Sequence, residues 1–159
     1  MIERLEALQV GDYASAPVLA MGDWNSQNVS EPSFGSSAHY NNSEAWKRLT
    51  GTGDAAGRHG LALVDVADLA PPGARRIDNR TSSGAKTSKP AARIDAIDEP
   101  LWPAADEPQG GERIDHILVH PAADWAVTEY VVDDTVYGPN GRTPSDHRPV
   151  VAVAQLRWQ

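Results

Sequence analysis

Residues 17–25 read Pro17-Val18-Leu19-Ala20-Met21-Gly22-Asp23-Trp24-Asn25, or PVLAMGDWN. An apolar run, Ala16 to Met21, predicts a buried strand, and a carboxylate and an amide follow it two residues apart. A turn accounts for Gly, Asp and Asn, whose side chains bond to nearby backbone or tolerate unusual backbone angles. A ligand site accounts for them equally well, because sites in α/β sheets gather where strands end. The choice between the two depends on what else the chain places at strand ends.

Outward from this stretch the chain alternates between helix and strand signals. Ile2, Leu5 and Leu8 recur at helical spacing before Gly11 and Asp12. Ser43 is suited to cap a helix through Glu44, Ala45, Trp46, Lys47, Arg48 and Leu49, which Gly51 and Gly53 close. Leu61 to Val66 (LALVDV) reads as a second strand. Residues 71–112 have no sustained period and are rich in Pro, Gly, Ser and Ala, which predicts a long loop. Its first half is basic and its second half acidic; a solvated surface insertion is favoured over a clamp for a polyanion. Three strands follow, at Arg113–His120 (RIDHILVH), Trp125–Val132 (WAVTEYVV) and Pro149–Leu156 (PVVAVAQL), the last read as buried. In the first, Ile114, His116 and Leu118 share one face, and Asp115, Ile117 and Val119 the other. This rhythm suits a mixed α/β sandwich better than a parallel doubly wound sheet.

Bulk properties narrow the function. The chain has 159 residues, 40% of them hydrophobic, enough for one core, and no apolar run nears the roughly 20 residues of a membrane helix. The amphipathic, acidic start, MIERLEALQVGD, does not read as a secretory signal. Cysteine is absent, which excludes disulfides and thiolate metal sites. A net charge of −8 argues against a general nucleic-acid coat, yet acidic residues around a site favour a hard divalent cation.

Three polar groups sit at predicted strand ends: Asp23 with Asn25, Asp115, and Asp146 with His147. Two of the acids could hold a divalent metal or orient water. His147 could act on a phosphoryl oxygen with Asp115 fixing its tautomer, and Asn25 could donate to a phosphate oxygen. Together they form a kit for metal-assisted phosphoester hydrolysis. The triplet Arg-Ile-Asp occurs at 76–78, 93–95 and 113–115, but only the third runs into an apolar strand. His39, His59, His116 and His120 lack metal-ligand spacing and read as structural or exposed. The five Trp read as packing residues, although Trp102, in the loop, could stack on a base or lipid.

GDWN, RIDHILV and SDHRPVV, in that order, resemble the last three motifs of the endonuclease/exonuclease/phosphatase superfamily, which includes DNase I. SEAWKRLTG and LALVDVADL are similar to the helix and short strand between them, so the resemblance covers roughly residues 3–70 and 111–156. It implies a DNase I-like α/β sandwich of two facing mixed sheets and hydrolysis of phosphoesters with Mg²⁺ or Mn²⁺. Carried over by match, Asp23 would orient or deprotonate water and Asn25 would contact the phosphate. His147 would stabilise charge or act as acid/base, Asp115 would hold His147, and Asp146 would be the metal ligand or its neighbour. Trp24 stands where Phe is commoner, as a core anchor. The family's early Asn and Glu motifs precede GDxN, and no residue before Asp23 matches them. The expectation is therefore that residues 1–159 form a partial domain, the C-terminal half only, with 71–112 a loop insertion. Substrates implied are a nucleic acid, an inositol phosphate or a phospholipid head group. The alternative is a non-catalytic fragment or subunit that assembles with an N-terminal half or with itself.

Overall fold

The computed structural model describes residues 7, 15–26, 43–52, 62–76, 113–133 and 147–157. Of the helix read near the chain start, only Ala7 is described, and it is helical; most of 71–112 lies outside the described residues. The start of that stretch corrects the loop reading, because Pro72–Ala74 form a 3₁₀ turn and Arg75–Arg76 a strand paired in a sheet. In chain order the elements are β1 (Val18–Asp23), α1 (Ser43–Thr50), β2 (Val64–Asp65), α2 (Val66–Leu69), β3 (Arg75–Arg76), β4 (Asp115–His120), β5 (Trp125–Val132) and β6 (Val150–Leu156). Short 3₁₀ turns at Pro72–Ala74 and Ala122–Asp124 lead into β3 and β5.

The strands form two three-stranded sheets, ordered β1-β4-β2 and β3-β5-β6. The first is antiparallel throughout. The second is mixed, because β3 runs parallel to β5 while β6 runs antiparallel to it. Strand β4 is central, and its alternation decides the layering. Leu118 packs with Trp46 and Leu49 of α1 and with Leu63. Val119 turns the other way, into a cluster with Val66, Ala67 and Ala70 around α2 and Val127, Tyr130 and Val132 of β5. Helix, sheet and second sheet therefore stack in that order, as the mixed sandwich reading expects.

Helix α1 ends as its sequence predicts. Gly51 takes a positive φ of 64°, and the amide of Thr52 donates to the carbonyl of Lys47 at 3.0 Å, closing the last turn. Two expected strands need correction. The first runs over Val18–Asp23 rather than from Ala16 to Met21, so Asp23 ends the strand, and the strand is not buried, with Leu19 and Met21 exposed. The strand expected over Leu61–Val66 shrinks to Val64–Asp65, because the Asp65 carboxylate accepts from the amide of Ala67 at 3.0 Å and starts α2.

The weak alternation of WAVTEYVV also has a cause. The β5–β6 register shifts between Val127 and Glu129. This bulge changes the parity of the strand, so Val127 and Tyr130, three residues apart, both face the core.

Leu118 is wholly buried between α1 and the first sheet. Leu118→Ala should lower stability by about 2–5 kcal/mol in urea unfolding followed by Trp fluorescence, whereas Val151→Ala, at a half-exposed position, should change it by about 0.5 kcal/mol or less.

Candidate active site at the ends of β1 and β4

The β1–β4 register pairs Asp23 directly with Asp115. Cross-strand partners point to the same face with Cβ atoms about 4.5–5.5 Å apart, and like charges so placed repel. Two carboxylates therefore share one end of the sheet. The amide of Trp24 donates to the carbonyl of Ile114 at 2.9 Å, which carries the pairing just past the strand end.

Asp23 is exposed, and its Oδ1 accepts from the amide of Asn25 at 2.8 Å. That bond makes a tight turn with Asn25 at a φ of +48°, a left-handed conformation that Asn tolerates better than most residues. The other Asp23 oxygen has no hydrogen-bond partner among the described residues. Asp115 is bound from the second sheet. Its Oδ2 meets Nδ1 of His147, just before β6, at 2.8 Å. The two side chains are 20% and 30% exposed respectively, so the pair lies at the surface without being fully solvated. An ionised carboxylate only accepts, which puts the Nδ1 proton on the imidazole and points Nε2 away from Asp115.

Four of the five residues singled out in the sequence thus meet at one place: Asp23 and Asn25 from β1 and its turn, Asp115 from β4, and His147 from the lead-in to β6. Asp146 lies outside the described residues, as do His39, His59 and Trp102. No group of three or more His, Cys, Asp or Glu side chains suited to a metal occurs among the described residues. Mg²⁺ needs no such cage, since it is commonly held by one or two carboxylates with water and phosphate oxygens. The outward oxygen of Asp23 fits that requirement. His120 bonds through Nδ1 to the carbonyl of Ala62 at 2.8 Å, a structural role.

Behind this site lies a buried polar network absent from the sequence reading. Nη2 of Arg113 donates to Oδ2 of Asp65 at 2.7 Å, and Nη1 donates to the hydroxyl of Tyr130 at 2.9 Å. The same Asp65 oxygen bonds Nδ1 of His116 at 2.9 Å, and Nε2 of His116 lies 2.8 Å from the carbonyl oxygen of Ser26. Arg113, Asp65, His116, Ser26 and Tyr130 are all buried. Burial would raise the Asp65 carboxyl, but the His116 hydrogen bond and the Arg113 guanidinium outweigh it and hold the group well below the ordinary carboxylate range. A sequence signal existed: an acid within the apolar LALVDV is expensive to bury unless paired.

A family model described as the Endonuclease/Exonuclease/phosphatase family matches residues 1–147. The chain belongs to this family. Its members are hydrolases of the phosphoesterase and nuclease type, and their DNase I-like α/β fold accords with the two facing sheets described above. No similar curated protein and no similar solved structure was found. No helix among the described residues is long and apolar enough to cross a membrane.

The Asp65 network makes a pH-dependent prediction. With a folded value below the unfolded one of about 4, the carboxylate stabilises the fold fully above that pH and progressively less as pH falls below it. Asp65→Asn should cost about 3–5 kcal/mol at pH 7, and its deficit relative to the native chain should shrink as urea titrations move below about pH 4.

Proposed function

We propose that this chain is a metal-dependent phosphoesterase in which Asp23, Asn25, Asp115 and His147 act on one phosphoryl group. The observation that supports this most directly is the Asp115–His147 hydrogen bond of 2.8 Å, set across from Asp23 by the β1–β4 register. A bound Mg²⁺, or Mn²⁺ in its place, would be held by Asp146 and would offset the charge of the phosphate oxygens. Asp23 orients a water molecule for in-line attack and takes its proton. The Asn25 amide donates to a non-bridging phosphate oxygen, for which its position in an exposed turn suits it. As the new P–O bond forms and the ester P–O bond breaks, charge grows on the phosphoryl oxygens. His147 meets that charge from Nε2 while Asp115 fixes its ring and tautomer. The substrate is a phosphodiester or phosphomonoester of a nucleic acid, an inositol phosphate or a phospholipid head group; a net charge of −8 leans away from long DNA.

A second reading keeps the fold without catalysis: a C-terminal half-domain that assembles with a further half or with itself. Leu19 and Met21 favour it. They lie on the face of β1 that continues from Val119 and Ile117, yet are 44% and 65% exposed. Light scattering separates the readings, since a stable monomer at micromolar concentration counts against assembly with itself.

With Mg²⁺ or Mn²⁺, the chain should hydrolyse bis-p-nitrophenyl phosphate, and Asp23→Ala and His147→Ala should each lower kcat by about 10²–10³-fold. Chelation should abolish turnover, and readdition of the metal should restore it. Turnover that survives both the chelator and Asp23→Ala would refute the assignment.

A further inference from the structure

His116 has two hydrogen-bond partners, and neither can donate. The Asp65 carboxylate lies at Nδ1 and the Ser26 carbonyl oxygen at Nε2. Oδ2 of Asp65 also accepts from Arg113, as an ionised carboxylate does. A neutral imidazole carries one N–H only, so in either tautomer one ring nitrogen would set its lone pair against an oxygen lone pair at under 3 Å. Both contacts are satisfied together only when both nitrogens carry protons. Asp65 supplies one negative charge, which the ring shares with the Arg113 guanidinium on the same oxygen, and the indole of Trp46 lies 4.6 Å from the imidazole, centroid to centroid.

We propose that His116 is a positioning residue, held as a doubly protonated imidazolium that ties the Ser26 carbonyl to Asp65 and thereby fixes the turn presenting Asp23 and Asn25. Strand alternation places His116 on the face opposite Asp115, toward α1, so it does not reach a phosphate bound beside Asp23. Its effect passes through the backbone. Residues 24–26 hang from β4 by three bonds: the Trp24 amide to the Ile114 carbonyl, the Trp24 indole to the His116 carbonyl at 3.3 Å, and the Ser26 carbonyl to the His116 ring. Asn25 sits between these anchors in its left-handed conformation, which persists only where the surroundings hold it. Asp23 holds it from one side and His116 from the other.

The importance of this clamp for turnover rests on the phosphoesterase reading; the clamp itself does not, and the test separates the two. In the native chain with ¹⁵N-labelled histidine at pH 7, both ring nitrogens of His116 should show the shifts of protonated nitrogens. One unprotonated ring nitrogen would overturn the proposal. In His116→Phe, amide hydrogen exchange at Trp24 and Asn25, the hydrogen-bonded amides of the turn, should accelerate about tenfold or more while Leu118 and Val119 keep their protection. Unchanged exchange in the turn would also overturn it. If His116→Phe does not fold, the ring-nitrogen spectrum of the native chain decides alone. Should the native chain show no metal-dependent turnover, the phosphoesterase reading fails, and these two measurements still decide the clamp.

Discussion

The ion pair between Arg113 and Asp65 is 2.7 Å long and has no solvent exposure at either end. Much of the molecule is organised around it. Asp65 starts α2, Arg113 enters β4, and Tyr130 brings the second sheet into the same network. A buried charge is tolerable only when its hydrogen-bonding capacity is filled, and here both Asp65 oxygens are used. The pair therefore fixes where the first sheet, the short helix and the second sheet meet. The two carboxylates of the candidate site lie on the same strand system, a few residues away.

Much of this was legible in the sequence because the relevant signals were local. β5 matches its predicted bounds at both ends, and β6 begins one residue late but is largely exposed rather than buried, because its outer face has no layer against it among the described residues. The two faces of β4 sort as alternation requires, and Gly51 marks the end of α1. Asp115 and His147 could be paired in advance because a carboxylate beside a catalytic imidazole is a recurring chemical need.

What the sequence hid was long-range. No local pattern shows that Asp23 would fall opposite Asp115 and not one residue away, since register depends on which faces are buried. Asp65 is a lone acid within the apolar run Leu61–Val66, and its partners lie 48 and 51 residues along the chain. The bulge in β5 concealed the core-facing set, because a change of parity looks like weak periodicity. His116 was grouped with unremarkable histidines since its meaning lies in two acceptors that only the fold brings to it.

The acid and amide of the candidate site belong to one sheet, while His147 arrives from the chain that opens the other. Slippage between the two layers would thus be felt first as a change in the contact between Asp115 and His147. Displacements of about 1 Å can cost an enzyme a hundredfold in rate. On the proposed reading, the packing of Val119 with Tyr130 and Val132 in the interlayer core would set the alignment of Asp115 and His147. If the phosphoesterase reading holds, substitutions in that interlayer core would act on turnover as well as on stability, through residues that never approach the substrate.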